Sequence, residues 1–413
     1  MKSAPITYLL KINKIVKLFC LLLLVTFSTV ALASEDTTTA SVAGEEHATE
    51  VHATEAHAEA GHAAEEGHGS EAKFDPGKMI TEHITDAHDW HLWGDGHDAV
   101  SIPLPVIVYS SRGLDVFMSS AFHHGHEVHN GYALKEGKII AVNEASGSVD
   151  LATEDVAVTE SLWDFSITKN VVSLFVSIIL LFFMFMSVAK AYNARKGQAP
   201  KGLQSLIEPL VIFVRDDIAK ASIGEKKYMK FLPYLLTAFF FIWLNNLLGL
   251  VPVFPGGANL TGSISITMTL AVFTFILVLI NGNKHYWHHI FAMPGVPGWV
   301  LFLLTPIEIL GVFLRPFVLM IRLFANITAG HIIALSFFSL IFIFGQMSTG
   351  AGFGVAVFSI LFTVFMTCLE LLVAFLQAYV FTLLSAIYIG AAVEEAHHDT
   401  HDHDAKVEEA HII

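Results

Sequence analysis

The sequence contains little charge and almost no cysteine. Of its 413 residues, 15% are charged and 54% are hydrophobic, whereas an average soluble protein has about 25% charged residues. Two cysteines, Cys20 and Cys368, are too few for a disulfide framework or a cysteine zinc site. The net charge of -15 argues against nucleic acid as a partner, since phosphate binding needs a basic face.

The charges are unevenly distributed along the chain. Residues 34–165 hold 25 acidic and 5 basic residues, and residues 393–413 hold 7 and 1. Residues 166–392 hold 6 acidic and 13 basic residues. The five charged residues of 231–392 are Lys284, Glu308, Arg315, Arg322 and Glu370. So apolar a segment is typical of a membrane domain, which we predict over 166–392.

The N-terminal segment, 1–33, predicts a secretory signal peptide. Lys11, Lys14 and Lys17 precede a short apolar run that ends in the small-residue cleavage pattern Ala-Leu-Ala. The run is shorter than the roughly 20 residues of a spanning helix. An uncleaved signal anchor is the alternative. Cleavage would leave the next segment outside the cytoplasm, in a bacterial envelope.

The segment after the predicted signal peptide and the C-terminal tail are both rich in histidine and acidic residues. Segment 34–73 is of low complexity, and its histidines recur mostly every five residues, a step of about 500° that places them on different faces of a helix. We expect a solvated segment, with weak zinc or copper binding as the alternative. The same two interpretations apply to the cytoplasmic tail, 393–413.

Segment 74–165 predicts a small extracytoplasmic extension that contains β structure. Residues 100–109, 133–142 and 149–158 read as short strands, with glycines between them. Its histidines are expected to be solvated rather than to bind metal.

Five apolar stretches are long enough to span a bilayer. They cover about 168–191, 232–254, 263–282, 299–344 and 353–392. The loop between the first two carries nine basic residues and a surface amphipathic segment, so the positive-inside rule places it in the cytoplasm. The N-terminus is then extracytoplasmic and the C-terminus cytoplasmic. The predicted fold is an all-α polytopic membrane protein.

The last two stretches are longer than a spanning helix requires. As continuous helices they would measure about 69 Å and 60 Å, against a hydrocarbon core of about 30 Å. Each is therefore a hairpin or a strongly tilted helix. Pro306 and Pro316 lie near the start of the first, and the second has no proline, so tilt is favoured. A tilted polar helix needs a protein partner beside it.

Polar residues in both stretches are spaced to share a helix face. The first ridge comprises Glu308, Arg315, Arg322, Asn326 and Gly330. The second ridge comprises Glu370, Gln377 and Tyr388. A charge inside a membrane marks an ion path or a buried ion pair. Structural pairing of Arg322 with Glu370, or of Arg315 with Glu308, is the alternative to an ion path.

Three other polar residues, in addition to the ridges, belong to the same region. His331 titrates near neutral pH, so with Glu370 on the neighbouring helix it is a candidate proton relay. Asn246, with Asn245, fits interhelical hydrogen bonding, and Gly330 permits close approach of another helix.

Four motifs resemble the a subunit of F-type ATP synthases, the membrane stator beside the rotating c-ring. They read NNLLGLVP at 245–252, PIE at 306–308 followed by RP at 315–316, RLFANITAGH at 322–331, and LE at 369–370 followed by QAYVFTLL at 377–384. The resemblance covers roughly residues 165–392.

The resemblance implies roles for the ridge residues. Arg322 matches the stator arginine that faces the lipid-buried carboxylate of each passing c subunit and separates two half-channels. His331 and Glu370 match two polar positions of the half-channel open to the outside, where some members carry the acid first and the histidine second. Asn326 and Gln377 match positions that flank the arginine. Glu308, Arg315, Gly330, Tyr388 and Asn246 are expected to support them.

The resemblance also implies a setting. Proton flow through such a subunit drives c-ring rotation and ATP synthesis, and the subunit is not catalytic alone and needs no cofactor. The implied partners are the c-ring, the b subunits of the peripheral stalk and the rest of the complex, in a bacterial inner membrane. The ion is H⁺ or Na⁺, because the ion-binding carboxylate belongs to another chain.

A metal transporter and a receptor are the alternatives from other classes. A transporter would explain the histidine-rich ends, but it would place His and Asp pairs inside its spans. Only His331 lies there, beside an arginine that repels cations. A receptor would have no need of two polar ridges.

Overall fold

The structure, a computed structural model, describes residues 76–394 except 94–99, 136, 145, 196, 252–255, 292, 294 and 295. The predicted signal peptide (1–33), the low-complexity segment (34–73) and the tail beyond residue 394 lie outside the described residues, so they stay predictions.

The N-terminal part of the described chain is a β-rich module. A short helix, α1 (Pro76–Ile84), precedes nine strands. These are β1 (Asp89–Trp93), β2 (Val100–Pro103), β3 (Pro105–Ser110), β4 (Gly113–Met118), β5 (Glu127–His129), β6 (Tyr132–Lys135), β7 (Lys138–Ala141), β8 (Ser146–Ser148) and β9 (Trp163–Asp164). They form antiparallel sheets ordered β1-β2, β4-β3-β9 and β7-β6-β5-β8. A small core closes around the fully buried Val106, Val108, Phe122 and Tyr132.

The predicted strands agree with the module only in part. Residues 100–109 form β2 and most of β3. Residues 133–142 are not one strand but a hairpin, because Gly137 takes a φ of 79° at the turn between β6 and β7. The strand predicted over 149–158 is wrong. That segment contains a short 3₁₀ turn and helix α2 (Val156–Thr159), which the Asp155 side chain caps by accepting a hydrogen bond from the Val158 amide.

The remainder of the described chain is helical, which confirms the all-α polytopic prediction. Five helices are long and apolar enough to cross a membrane. They are α3 (Lys169–Ala194), α6 (Tyr228–Leu250), α7 (Ile264–Asn281), α9 (Gly298–Met347) and α10 (Thr349–Val393). The shorter α4 (Leu203–Phe213), a π-helical stretch (Val214–Lys220) and α5 (Ala221–Ile223) connect α3 to α6, and α8 (Lys284–Phe291) connects α7 to α9.

The two longest helices are each continuous. α9 has 50 residues and α10 has 45, so they measure about 75 Å and 68 Å at 1.5 Å per residue. Neither contains a hairpin. They pack antiparallel and are joined through Ser348. A Cβ on Gly352 would lie 2.8 Å from the Cα of Gly345, so this close approach next to the turn requires glycine.

Helix α6 lies at the centre of the bundle. It packs against α3 and α10, while α7 packs against α9 and α10. Three consecutive phenylalanines of α6 (Phe239, Phe240 and Phe241) are at most 1% exposed, since helices cover α6 on more than one side. The fixed position of α6 and α7 aligns the two long helices.

Candidate functional site

The antiparallel pair α9 and α10 brings the two predicted polar ridges together. Contacts occur at three levels: Arg315 with Tyr388, Asn326 with Gln377, and Gly330 with Glu370. The pairs follow one another in opposite order along the two helices, as antiparallel packing requires. The ridges that sequence spacing predicted therefore face each other along the helix pair.

The middle contact is a hydrogen bond between two amides. Asn326 Nδ2 donates to Gln377 Oε1 at 2.8 Å. Gln377 is 3% exposed, whereas Asn326 lies on the exposed side of α9. The bond therefore sits where the buried interior of the bundle meets its outer face, one helical turn from Arg322.

Arg322 occupies that outer face and is exposed. Its neighbours along the helix are also exposed and apolar; Val318 is 45% and Ile321 is 42% exposed. Among the described residues, no side chain forms an ion pair or a hydrogen bond with Arg322. The alternative of a structural pair with Glu370 is therefore not realised in this chain, and the cation is left on an apolar surface.

Glu370 lies against the backbone of α9. Its Oε1 occupies the place that a Cβ on Gly330 would take. His331, which follows Gly330 on α9, points to α6. Its Nε2 lies 3.7 Å from the position that a Cβ on Gly249 would take. The contact with Glu370 requires glycine at position 330, whereas a Cβ at position 249 would make only an ordinary van der Waals contact with His331.

A chain of hydrogen bonds connects this region to the loop after α6. Thr261 Oγ1 donates to Asn246 Oδ1 at 2.6 Å, and Asn246 Nδ2 donates to the carbonyl oxygen of Ala374 at 3.2 Å. Ala374 lies one turn beyond Glu370 on α10. Asn246 is 3% exposed, and it joins three elements of the site rather than two helices alone.

Three buried hydroxyls near the site have no hydrogen-bond partner among the described residues. They belong to Thr328, Ser359 and Thr363. The sequence analysis missed them, although Ser359 and Thr363 precede Glu370 by eleven and seven residues, the same spacings that found Tyr388 and Gln377. A helical hydroxyl usually donates a hydrogen bond to the carbonyl four residues earlier. Since these three hydroxyls do not, each can still form hydrogen bonds.

The other end of the ridges contains Arg315. Its guanidinium lies 5.7 Å from the centre of the Tyr388 ring, and Thr274 and Tyr286 line the same small cavity. Burial raises the pKa of Tyr286, while the charges of Arg315 and Glu308 act on it in opposite directions. These four groups and Glu308 thus form a second polar cluster, on the far side of Arg322 from Glu370.

The structure assigns no ion pair to Arg315 and Glu308 within the residues it describes. Nor do the described residues contain a group of three or more His, Cys, Asp or Glu side chains that could hold a metal ion.

Comparison with known proteins decides the family. The family model described as ATP synthase A chain matches residues 171–390. The chain belongs to this family. A second family model, described as a domain of unknown function, matches residues 79–165.

Several relatives named as subunit a of ATP synthase match somewhat over half of this chain. ATP synthase subunit a 2 of Chlorobaculum tepidum is 49% identical over 248 residues, 58% of this chain and 66% of the relative. Subunit a of Chloroherpeton thalassium is 42% identical over 247 residues, 58% of this chain and 71% of the relative. Subunit a of Chlorobium phaeobacteroides is 44% identical over 249 residues, 59% and 69% of the two chains.

The match to this family model confirms the family that the four sequence motifs indicated. Membership makes the chain a proton-translocating membrane subunit of an ATP synthase, which is not catalytic by itself.

Proposed function

We propose that the chain supplies two half-channels and the fixed charge of Arg322, which together couple proton flow to c-ring rotation and ATP synthesis. One observation carries the proposal: Arg322 is an exposed cation on an apolar face, with no partner among the residues that the structure describes. An arginine keeps its charge in nearly any environment, and a charge at membrane depth is costly unless an opposite charge compensates it. A carboxylate presented by a neighbouring chain meets that need.

Arg322 would act on the carboxylate of each c subunit that passes. In a dry environment the guanidinium favours the ionised carboxylate, so a carboxylic acid that arrives protonated releases its proton on reaching the arginine. The same positive charge repels protons and prevents them from crossing directly between the half-channels.

The first half-channel is assigned to the end of the ridges that holds Glu370 and His331. Support comes from the hydrogen-bonded path through Thr261 and Asn246 to the backbone beside Glu370. The free hydroxyls of Thr328, Ser359 and Thr363 add sites at which water can bind. In this proposal, two titratable groups close to a line of polar atoms relay protons from the outer surface to the c-ring.

The second half-channel is assigned to the opposite end, where Arg315, Tyr388, Tyr286 and Glu308 cluster. It would open to the cytoplasm. Asn326 and Gln377 lie between the two ends, and their hydrogen bond would hold the face of α9 in position beside Arg322.

The proposed setting is the bacterial inner membrane, with the N-terminus outside and the C-terminus in the cytoplasm. Seven basic residues between α3 and α6, together with Lys190 at the end of α3 and Lys230 at the start of α6, support this orientation through the positive-inside rule. The proposed partners are the c-ring, against the exposed face of α9, and the b subunits of the peripheral stalk.

The decisive experiment replaces the arginine. We expect Arg322→Ala to reduce ATP-driven proton pumping in inverted membrane vesicles to background while the complex still assembles with its c-ring. Ile321→Ala, an exposed neighbour on the same helix, is the matched control and should keep near-normal pumping. Full coupled pumping by Arg322→Ala would contradict the mechanism. Repeating the assay with and without Na⁺ distinguishes the two candidate ions.

A further inference from the structure

The three-stranded sheet of the exterior module has two unlike faces. One face contributes Val106 and Val108, both 0% exposed, to the core of the module. The opposite face is open and entirely apolar among its strand residues. It carries Ile107, Tyr109, Leu114, Val116, Met118, Trp163 and Phe165. We call this the apolar sheet face.

The apolar sheet face is large for a protein surface in water. Leu114 and Val116 are each 63% exposed and Tyr109 is 53% exposed, and a contiguous exposed apolar patch on a protein surface marks an interaction site. The nearby Arg112 is turned away, because it donates hydrogen bonds to the carbonyl oxygens of Gly131 and Val142. An apolar partner would remove this surface from water.

The sheet continues almost to the first membrane helix. Beyond β9, the amide of Phe165 donates to the carbonyl of Ile107 at 2.8 Å, and the amide of Ile167 donates to the carbonyl of Pro105 at 3.0 Å. Helix α3 begins at Lys169. Six residues of extended chain span at most about 20 Å, so the whole face lies near the point where the chain enters the membrane.

The junction between module and membrane helix is fixed by direct bonds. The Asp86 carboxylate accepts a hydrogen bond from the amide of Asn170 at 3.0 Å, and so satisfies one of the free amides at the start of α3. The carbonyl of Ala87 accepts another from the amide of Lys169 at 2.9 Å. The sheet consequently has a defined orientation relative to α3.

A buried pair adds to this junction. His88 Nε2 and Asp164 Oδ2 are 2.9 Å apart, and their side chains are 6% and 18% exposed. Burial opposes ionisation of Asp164, but its hydrogen bonds with His88 and Ser166 outweigh burial and lower the pKa of the carboxyl. The pair ties the loop before β1 to the strand that leads into α3.

We propose that the apolar sheet face rests in the headgroup region of the bilayer leaflet at the N-terminal end of α3. Its occupant is lipid, because the face is continuous with a chain segment that enters that leaflet within a few residues. Its stacked aromatic pair, Trp163 and Phe165 with ring centres 6.3 Å apart, and Tyr109 suit the membrane interface, where amphipathic rings accumulate.

This contact would give the module a mechanical role. The module is bonded to α3 at one end, and its helix α1 packs against α9. A sheet seated in the leaflet would thus brace the first membrane helix and the helix that carries Arg322 at the same surface.

The test places an environment-sensitive fluorophore on the face. The full chain, with Cys20→Ser and Cys368→Ser, receives Val116→Cys, is labelled with nitrobenzoxadiazole and is reconstituted into phosphatidylcholine–phosphatidylglycerol liposomes. The matched control is Lys138→Cys, an exposed position on β7 of the four-stranded sheet. Quenching is measured with lipids spin-labelled near the headgroup and with aqueous iodide.

We expect lipid quenching at Val116→Cys to be at least twice that at Lys138→Cys, with iodide quenching reduced in the same proportion. Equal iodide quenching at the two positions would show that the face is in water and would overturn the proposal. Protection from iodide without quenching by spin-labelled lipid would overturn it as well, because a second protein surface would then cover the face.

Discussion

Helices α6 and α9 are both apolar enough to cross a membrane, yet they use their surfaces in opposite ways. We compare the most apolar 18 consecutive residues of each helix. Of these residues, 61% are buried in α6 and 6% are buried in α9. The asparagines of α6, Asn245 and Asn246, are 1% and 3% exposed and bond within the bundle. Arg322 of α9 is exposed. A hydropathy high enough for a membrane span therefore describes a packed core in one helix and an exposed surface in the other.

Helix α10 contains both kinds of surface in a single element. Its second half is buried at Ala378, Phe381 and Ile389, all at most 1% exposed, while Leu361 in its first half is 70% exposed. The change occurs near Gln377, which bonds Asn326. The polar ridge thus follows the border between the packed bundle and the exposed face, where the proposed half-channels and the proposed c-ring contact would meet.

The largest effect is expected when a side chain is added where the buried and exposed surfaces of the helix pair meet. We expect Gly330→Ala to reduce proton flux about tenfold or more, because its Cβ would overlap the Glu370 side chain. The added methyl group would both misplace the carboxylate and fill the contact between α9 and α10 through which protons are proposed to pass, and small misplacements of reacting groups have large effects on rate. The measurement is ATP-driven pumping in inverted vesicles, normalised to assembled complex.

The same helix offers a matched control for this change. A Cβ on Gly311 would meet nothing within 4 Å, so Gly311→Ala should leave the flux close to that of the wild type. If both variants lose flux equally, α9 responds to added volume in general and the specific contact with Glu370 is unimportant.

A smaller effect is expected when the titratable groups are removed without added volume. Glu370→Gln and His331→Ala should each slow proton flux several-fold while the membrane stays tight to protons, since a relay loses one exchanging site but Arg322 remains. Passive leak and driven flux are measured in the same vesicles. Unchanged flux in either variant would make that residue structural.

Spacing predicted the ridges because a helix imposes one geometric rule on all its residues. Asn326, Gln377 and Glu370 follow this rule, and their meeting across α9 and α10 needed only antiparallel packing. The contact between His331 and Gly249 could not be read this way, because it depends on how α6 sits against α9. The strand expected over 149–158 failed for a local reason: the Asp155 cap favours a helix there.

The smallest effect is expected for a substitution in the buried core between α6 and α7. The hydroxyls of Tyr234 on α6 and Thr274 on α7 are 2.6 Å apart and fully enclosed. Tyr234→Phe removes this bond but leaves Thr274 bonded to the carbonyl of Leu270 at 3.2 Å, so we expect a loss of only about 0.6 kcal/mol, the average for hydrogen bonds between membrane helices. Reversible unfolding in mixed micelles would measure the loss, and proton flux per assembled complex should not change. A several-fold drop in flux would mean that the ion path extends along α6 from Asn246 to Tyr234, and the division between a packed core and a working surface would then have to be drawn inside α6 on the other side of Tyr234.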